Sequence, residues 1–172
     1  MIFSRPCASL LFTLLFALAT PVLAASAVTE KDINAIAADL RAQGYQVAQR
    51  SKDELITQGT EIYLADTMGE LGLFYRAAEI VFMGGSLIAH GGQNPLEPAR
   101  LNNAVLTGPH THNFAAIIAR FTAADAIRVV ADSAALAEEL NRLLADDVAR
   151  KALCENAAIV VEQSRGASSS IV

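Results

Sequence analysis

From Thr29 onward the apolar positions switch repeatedly between a helical period of about 3.6 and short continuous runs. Ile33, Ile36, Ala37 and Leu40 form one helical stripe. Thr29 is placed as its N-cap, Glu30 and Asp32 fall in its first turn, and Gly44 stands where it should stop. Residues 45–50 alternate like a strand, a polar loop covers 51–60, and 61–64 read as a second strand. Leu71, Phe74 and Tyr75 share one face of a helix over 70–78. Residues 80–83 and 104–107 are short, almost wholly apolar strands, with a helix over 95–101 between them. Asn113 is placed to cap a helix over 114–123, and a strand follows over 127–130. Ser133 is placed to cap a helix reaching about residue 145, and a last helix covers about 147–163.

This alternation of strands and helices implies an α/β fold: a Rossmann-like parallel sheet with helices on both faces. In such sheets ligands gather outside the carboxyl ends of the strands. The polar turns over 65–70, 84–94 and 108–113 all follow strands, so they should converge on one crevice.

Residues 1–24 read differently. Arg5 precedes an apolar run over 7–19, and Pro21 is followed by Val22, Leu23 and Ala24. That is the layout of a secretory signal, or of a membrane anchor that is short for a full span. The expected organisation is a signal-like or anchor segment over 1–28, a nucleotide-sugar-binding domain over 29–167, and a frayed tail over 168–172.

Composition narrows the function. The net charge of −5 gives no basic surface for nucleic acid, and no Trp with 6% aromatics leaves few platforms for stacking bases. Cys7 lies in the leader-like segment, so the body holds Cys154 alone and no disulfide framework; a small core or surface role suits Cys154 better than that of a nucleophile. His90, His110 and His112 have no carboxylate at ligand spacing, so no metal is expected.

The richest chemistry lies over 83–100. Two glycine pairs, 84–85 and 91–92, flank Ser86 and His90, and Gln93, Asn94, Pro95 and Glu97 follow. Glycines let a backbone approach a ligand closely, a helix start presents N–H groups to an anion, and Glu97 can accept hydrogen bonds from sugar hydroxyls. A plain strand-to-helix turn would not need so many polar groups. A nucleotide-linked sugar fits them. No Gly-x-Gly-x-x-Gly opens the first helix, which argues against a dinucleotide-dependent dehydrogenase.

Four motifs taken together, over 63–75, 84–87, 91–99 and 108–110, resemble the C-terminal half of the 3-deoxy-D-manno-octulosonic acid (Kdo) transferases. The resemblance covers roughly residues 30–166 and implies the C-terminal half of a GT-B glycosyltransferase. It implies transfer of Kdo from CMP-Kdo to lipid IVA, a lipid A precursor, in lipopolysaccharide biosynthesis at the cytoplasmic face of the inner membrane. CMP-Kdo would be the donor substrate, with no cofactor. The turn over 66–70, with Met68, Gly69 and Glu70, would hold the cytidine and phosphate. Gly85 and Ser86 would border the donor sugar and phosphate. Asn94 would meet phosphate or sugar, and Glu97 the ribose hydroxyls. Asp66 is placed equally as a cap or a ligand contact, His110 as a phosphate contact or a cap.

The sequence departs from the family pattern in places. The Arg-bearing Pro-Arg-His-Pro-type loop that opens the family's C-terminal domain has no counterpart; residues 1–28 stand in its place. The usual Pro after Ser-Leu-Ile is Ala89. The acceptor domain and its catalytic acid are absent, so the expectation is a donor-binding half with no catalytic residue of its own, meeting the lipid acceptor only through a missing domain. Residues 1–24 would supply any membrane contact, or would export the chain. The alternative is a non-catalytic nucleotide-binding or remnant protein from a truncated gene.

Overall fold

The structure, a computed structural model, describes residues 2–4, 13–15 and 30–168. Among the described residues seven strands form one sheet: β1 (Ile2–Ser4), β2 (Thr13–Leu15), β3 (Val47–Gln49), β4 (Ile62–Leu64), β5 (Ile80–Met83), β6 (Ala104–Thr107) and β7 (Arg128–Val129). Their order across the sheet is β3-β4-β1-β2-β5-β6-β7. The pairs β3/β4, β2/β5, β5/β6 and β6/β7 are parallel, and β1 runs antiparallel to both β2 and β4. The sheet is thus the expected parallel one except at β1. Six residues of the leader-like segment lie within it, pairing edges of β4 and β5 that would otherwise carry open backbone groups.

The helices are α1 (Glu30–Ala42), α2 (Leu71–Ala77), α3 (Leu96–Arg100), α4 (Ala115–Ala123), α5 (Ser133–Ala145) and α6 (Asp147–Ser168). β5 shows why they cover both faces. Val81 and Met83 enter a core with Tyr75, Ala99, Ile118 and Val160, whereas Ile80 and Phe82 enter another with Leu136, Leu143 and Leu153. All four β5 residues are buried, as a central parallel strand requires. Ile62 and Leu64 pack on the α1 stripe around Ala37. Cys154 is buried in the core, and burial pushes its thiol up, which leaves it no nucleophile.

Local signals held at some ends and failed at others. Gly44 (φ +95°) closes α1, with its N–H on the Arg41 carbonyl and the Tyr45 N–H on that of Leu40. The proposed Thr29 cap lies outside the described residues. Asp132, not Ser133, caps α5: its backbone is extended and its carboxylate accepts from the Ala135 N–H at 2.9 Å. Asn113 caps nothing; a 3₁₀ turn over His112–Phe114 precedes α4, and the Asn113 amide donates to the His90 carbonyl. α6 continues to Ser168, past the expected end near 163, and residues 169–172 of the expected tail lie outside the described residues. Among the described residues no helix is long and apolar enough to cross a membrane.

Candidate functional site

Because β3, β4, β5 and β6 are parallel, the segments after Gln49, Leu64, Met83 and Thr107 leave the same edge of the sheet. The turn after β4 is held at both ends. At its start Asp66 does not cap α2. Its carboxylate accepts from Gln49 Nε2 (2.7 Å), the Ser51 N–H (2.8 Å) and Ser51 Oγ (2.7 Å). Burial pushes the Asp66 carboxyl up, but these bonds outweigh it and leave the group below its usual range.

At the far end Glu70 is gripped by Arg50, through Nε to Oε2 (3.0 Å) and Nη2 to Oε1 (2.8 Å), and by the Thr67 hydroxyl. The Arg50 hydrogen bonds, then that of Thr67, pull the Glu70 carboxyl down to about 2. Between these anchors Met68 is 97% exposed, so it is not a core residue and is free to lie against a ligand. Gly69 adopts φ +86°, and a Cβ there would meet nothing within 4 Å; conformation, not space, demands glycine. Among the described residues nothing accepts from the N–H of Met68 or Gly69.

The loops after β5 and β6 interlock. Ser86 is fully buried; its hydroxyl donates to the Met83 carbonyl and accepts from the Gly108 N–H at 2.7 Å. Its carbonyl takes the His110 N–H at 2.9 Å. A Cβ on Gly108 would sit 2.3 Å from that carbonyl oxygen, so the crossing needs glycine for space. Gly85 (φ +70°) lies under the His90 ring, and Gly91 abuts Asn113.

Asn94 is exposed, and its Oδ1 accepts from the Leu96 N–H at 3.1 Å. The next helix therefore starts at Leu96 rather than at Pro95 and has five residues, too short for a strong dipole at its start. Glu97 is exposed on this helix. Tyr75 of α2 is pushed up to about 12, first by burial and then by the Glu97 charge, which places that carboxylate beside the α2–α3 seam. His90, His110 and His112 are exposed, and the described residues contain no group of three or more His, Cys, Asp or Glu placed to hold a metal.

Met68, Gly69, Glu70, Gly85, Asn94 and Glu97 therefore lie on segments leading from one edge, whereas the Ser86 hydroxyl is spent inside the protein. Gln49, Arg50 and Ser51 were not singled out in the sequence. The usable signal was the polar stretch over 50–54 that follows the alternating residues, as polar turns follow the other strands at this edge.

No protein-family model matches the chain. It is 38% identical over 135 residues to the 3-deoxy-D-manno-octulosonic acid transferase of Haemophilus influenzae, covering 78% of this chain and 32% of that protein. It is 34% identical over 122 residues to the Bordetella pertussis enzyme of the same name, covering 70% and 28%. The chain thus spans about a third of the length of these relatives. The crystal structure of the C-terminal CMP-Kdo binding domain of WaaA from Acinetobacter baumannii matches with a TM-score of 0.73 and 31% identity, covering 76% of this chain and 68% of that one.

Proposed function

This chain belongs to the Kdo transferase family through its C-terminal domain, and from that premise we propose that it binds CMP-Kdo as the donor half of Kdo transfer. The observation that carries the reading is the turn over 66–70, tethered at both ends yet open at Met68 and Gly69. The N–H groups of that turn suit a phosphate and the Met68 side chain a flat base, while Gly85, beneath the His90 ring, borders the donor sugar. Asn94 and Glu97 offer an amide and a carboxylate to phosphate and ribose hydroxyls. Ser86 serves by holding the two loops in register.

Transfer requires a base for the acceptor hydroxyl and stabilisation of the departing CMP phosphate. This domain supplies the second. Glu70, whose carboxylate is taken up by Arg50 and Thr67, is not free to act as the first. The acceptor in this reading is lipid IVA, bound by another domain, and the reaction belongs to lipopolysaccharide biosynthesis at the cytoplasmic face of the inner membrane, where the nucleotide sugar is made. An alkaline phosphatase fusion at the C-terminus tests location: an active reporter puts the body outside and contradicts this role. Calorimetry tests the donor site. CMP should bind with a Kd on the order of 1 mM or tighter and UMP more weakly; no heat from CMP at millimolar concentration overturns the reading.

A further inference from the structure

The tripeptide Gln49-Arg50-Ser51 grips both ends of the turn after β4. Asp66, at the start, takes hydrogen bonds from Gln49 and Ser51; Glu70, at the end, takes the Arg50 fork. Gln49 is 1% exposed, so one hand of this grip is rooted in the core. Between the anchors the Thr67 hydroxyl leans on Glu70, Met68 is exposed and Gly69 has open space around its Cβ position. Among the described residues no hydrogen bond tethers Met68 or Gly69.

We propose that Gln49-Arg50-Ser51 is the element that sets the shape of the nucleotide turn, and that Arg50 is a positioning residue for ligand binding. The inference rests on the donor-site reading given above. An exposed ion pair usually contributes little to stability, but a two-point guanidinium–carboxylate fork fixes orientation, which a point charge cannot. Here the fork fixes the residue at which α2 begins, because the Glu70 carbonyl accepts the first helical N–H from Leu73 at 2.9 Å. Release of Arg50 leaves the Glu70 carboxylate with the Thr67 hydroxyl alone, and the Glu70 end of the turn with its helical backbone bonds. The charged and titratable groups around the fork are Asp53, 3.7 Å from Arg50 Nη1, with Tyr63 and Asp66 from β4 and its turn.

The test uses the full chain with Arg50→Met, Arg50→Lys, Glu70→Gln and the double variant Arg50→Met/Glu70→Gln. Arg142→Met is the control, since it breaks a 2.6 Å bridge to Glu139 on α5. CMP is the probe, and amide exchange at Met68 and Gly69 is read separately. Arg50→Met should speed that exchange and weaken CMP about tenfold, with the thermal transition near the parent's. Arg50→Lys should recover part of the loss, and the double variant should lose little beyond Glu70→Gln alone. Between about pH 6 and about pH 4 the ratio of variant to parent affinity should change, because Glu70 freed from Arg50 titrates in the ordinary carboxylate range.

Unchanged exchange and affinity in Arg50→Met overturn the proposal, as does an equal loss in Arg142→Met. If Arg50→Met does not fold, Arg50→Lys and Glu70→Gln carry the same comparison. If the parent binds no CMP, the donor reading fails, and exchange alone decides whether Arg50 sets the turn.

Discussion

Ser86→Ala separates a ligand contact from an internal linchpin. The hydroxyl links two loops by donating to the Met83 carbonyl and accepting from the Gly108 N–H. Ser86 is 0% exposed and Gly108 is buried too, so water cannot replace what the substitution removes. An orphaned buried donor or acceptor costs about 1–3 kcal/mol, and two groups are orphaned here. Relaxation recovers part of that, leaving an expected loss of about 2–4 kcal/mol. With a urea m-value of about 2 kcal/mol/M, the unfolding midpoint should fall by about 1–2 M at unchanged m. CMP affinity of the folded variant should change only through disorder in the two loops. A midpoint within about 0.25 M of the parent, combined with a large loss of CMP binding, refutes the linchpin argument and makes the hydroxyl a ligand group.

Gly108→Ala must push a Cβ into the Ser86 carbonyl at 2.3 Å, so a loss of at least about 1–3 kcal/mol should appear in the same urea titration. Gly69→Ala meets no atom but must hold φ +86°, and should cost about 1 kcal/mol while weakening CMP more than it weakens the fold. Glu97→Ala should leave the urea midpoint within about 0.5 M of the parent, weaken CMP, and bring the Tyr75 titration down from about 12, as read by ultraviolet absorbance. Glu70 is depressed from its ordinary 4.5 to about 2, so its contribution is present above about pH 4.5 and lost as pH falls towards 2. Solvent screening keeps that contribution small, so urea midpoints should fall only slightly less steeply over that window in Arg50→Met than in the parent.

The sequence exposed what local pattern controls. β5 and β6 were legible to the residue because a strand buried on both faces is a continuous apolar run. The ends of β3 and β7 were not, because pairing across the sheet decides which residues of an alternating stretch count as strand. Asp132 and Ser133 are adjacent and both cap helices well, so local sequence could not choose between them. The turns at the sheet edge were legible from strand order. The partners inside them were not: Arg50 and Glu70 lie 20 residues apart, and Ser86 and Gly108 lie 22 apart. Nor can a sequence show whether a serine hydroxyl points into the core or into a crevice. The resemblance supplied residue roles, and the geometry then distinguished exposed Met68 and Glu97 from buried Ser86.

The central claim is that the segments at the carboxyl edge of β3 to β6 form one nucleotide site. A titration of the isotopically labelled full chain with CMP, read by amide chemical shifts, addresses it directly. Saturable shifts should appear at Met68, Gly69, Gly85 and Glu97 with one shared Kd, and none at Val148 on α6. No shifts at millimolar CMP, or shifts scattered over α5 and α6 instead of these turns, would contradict it.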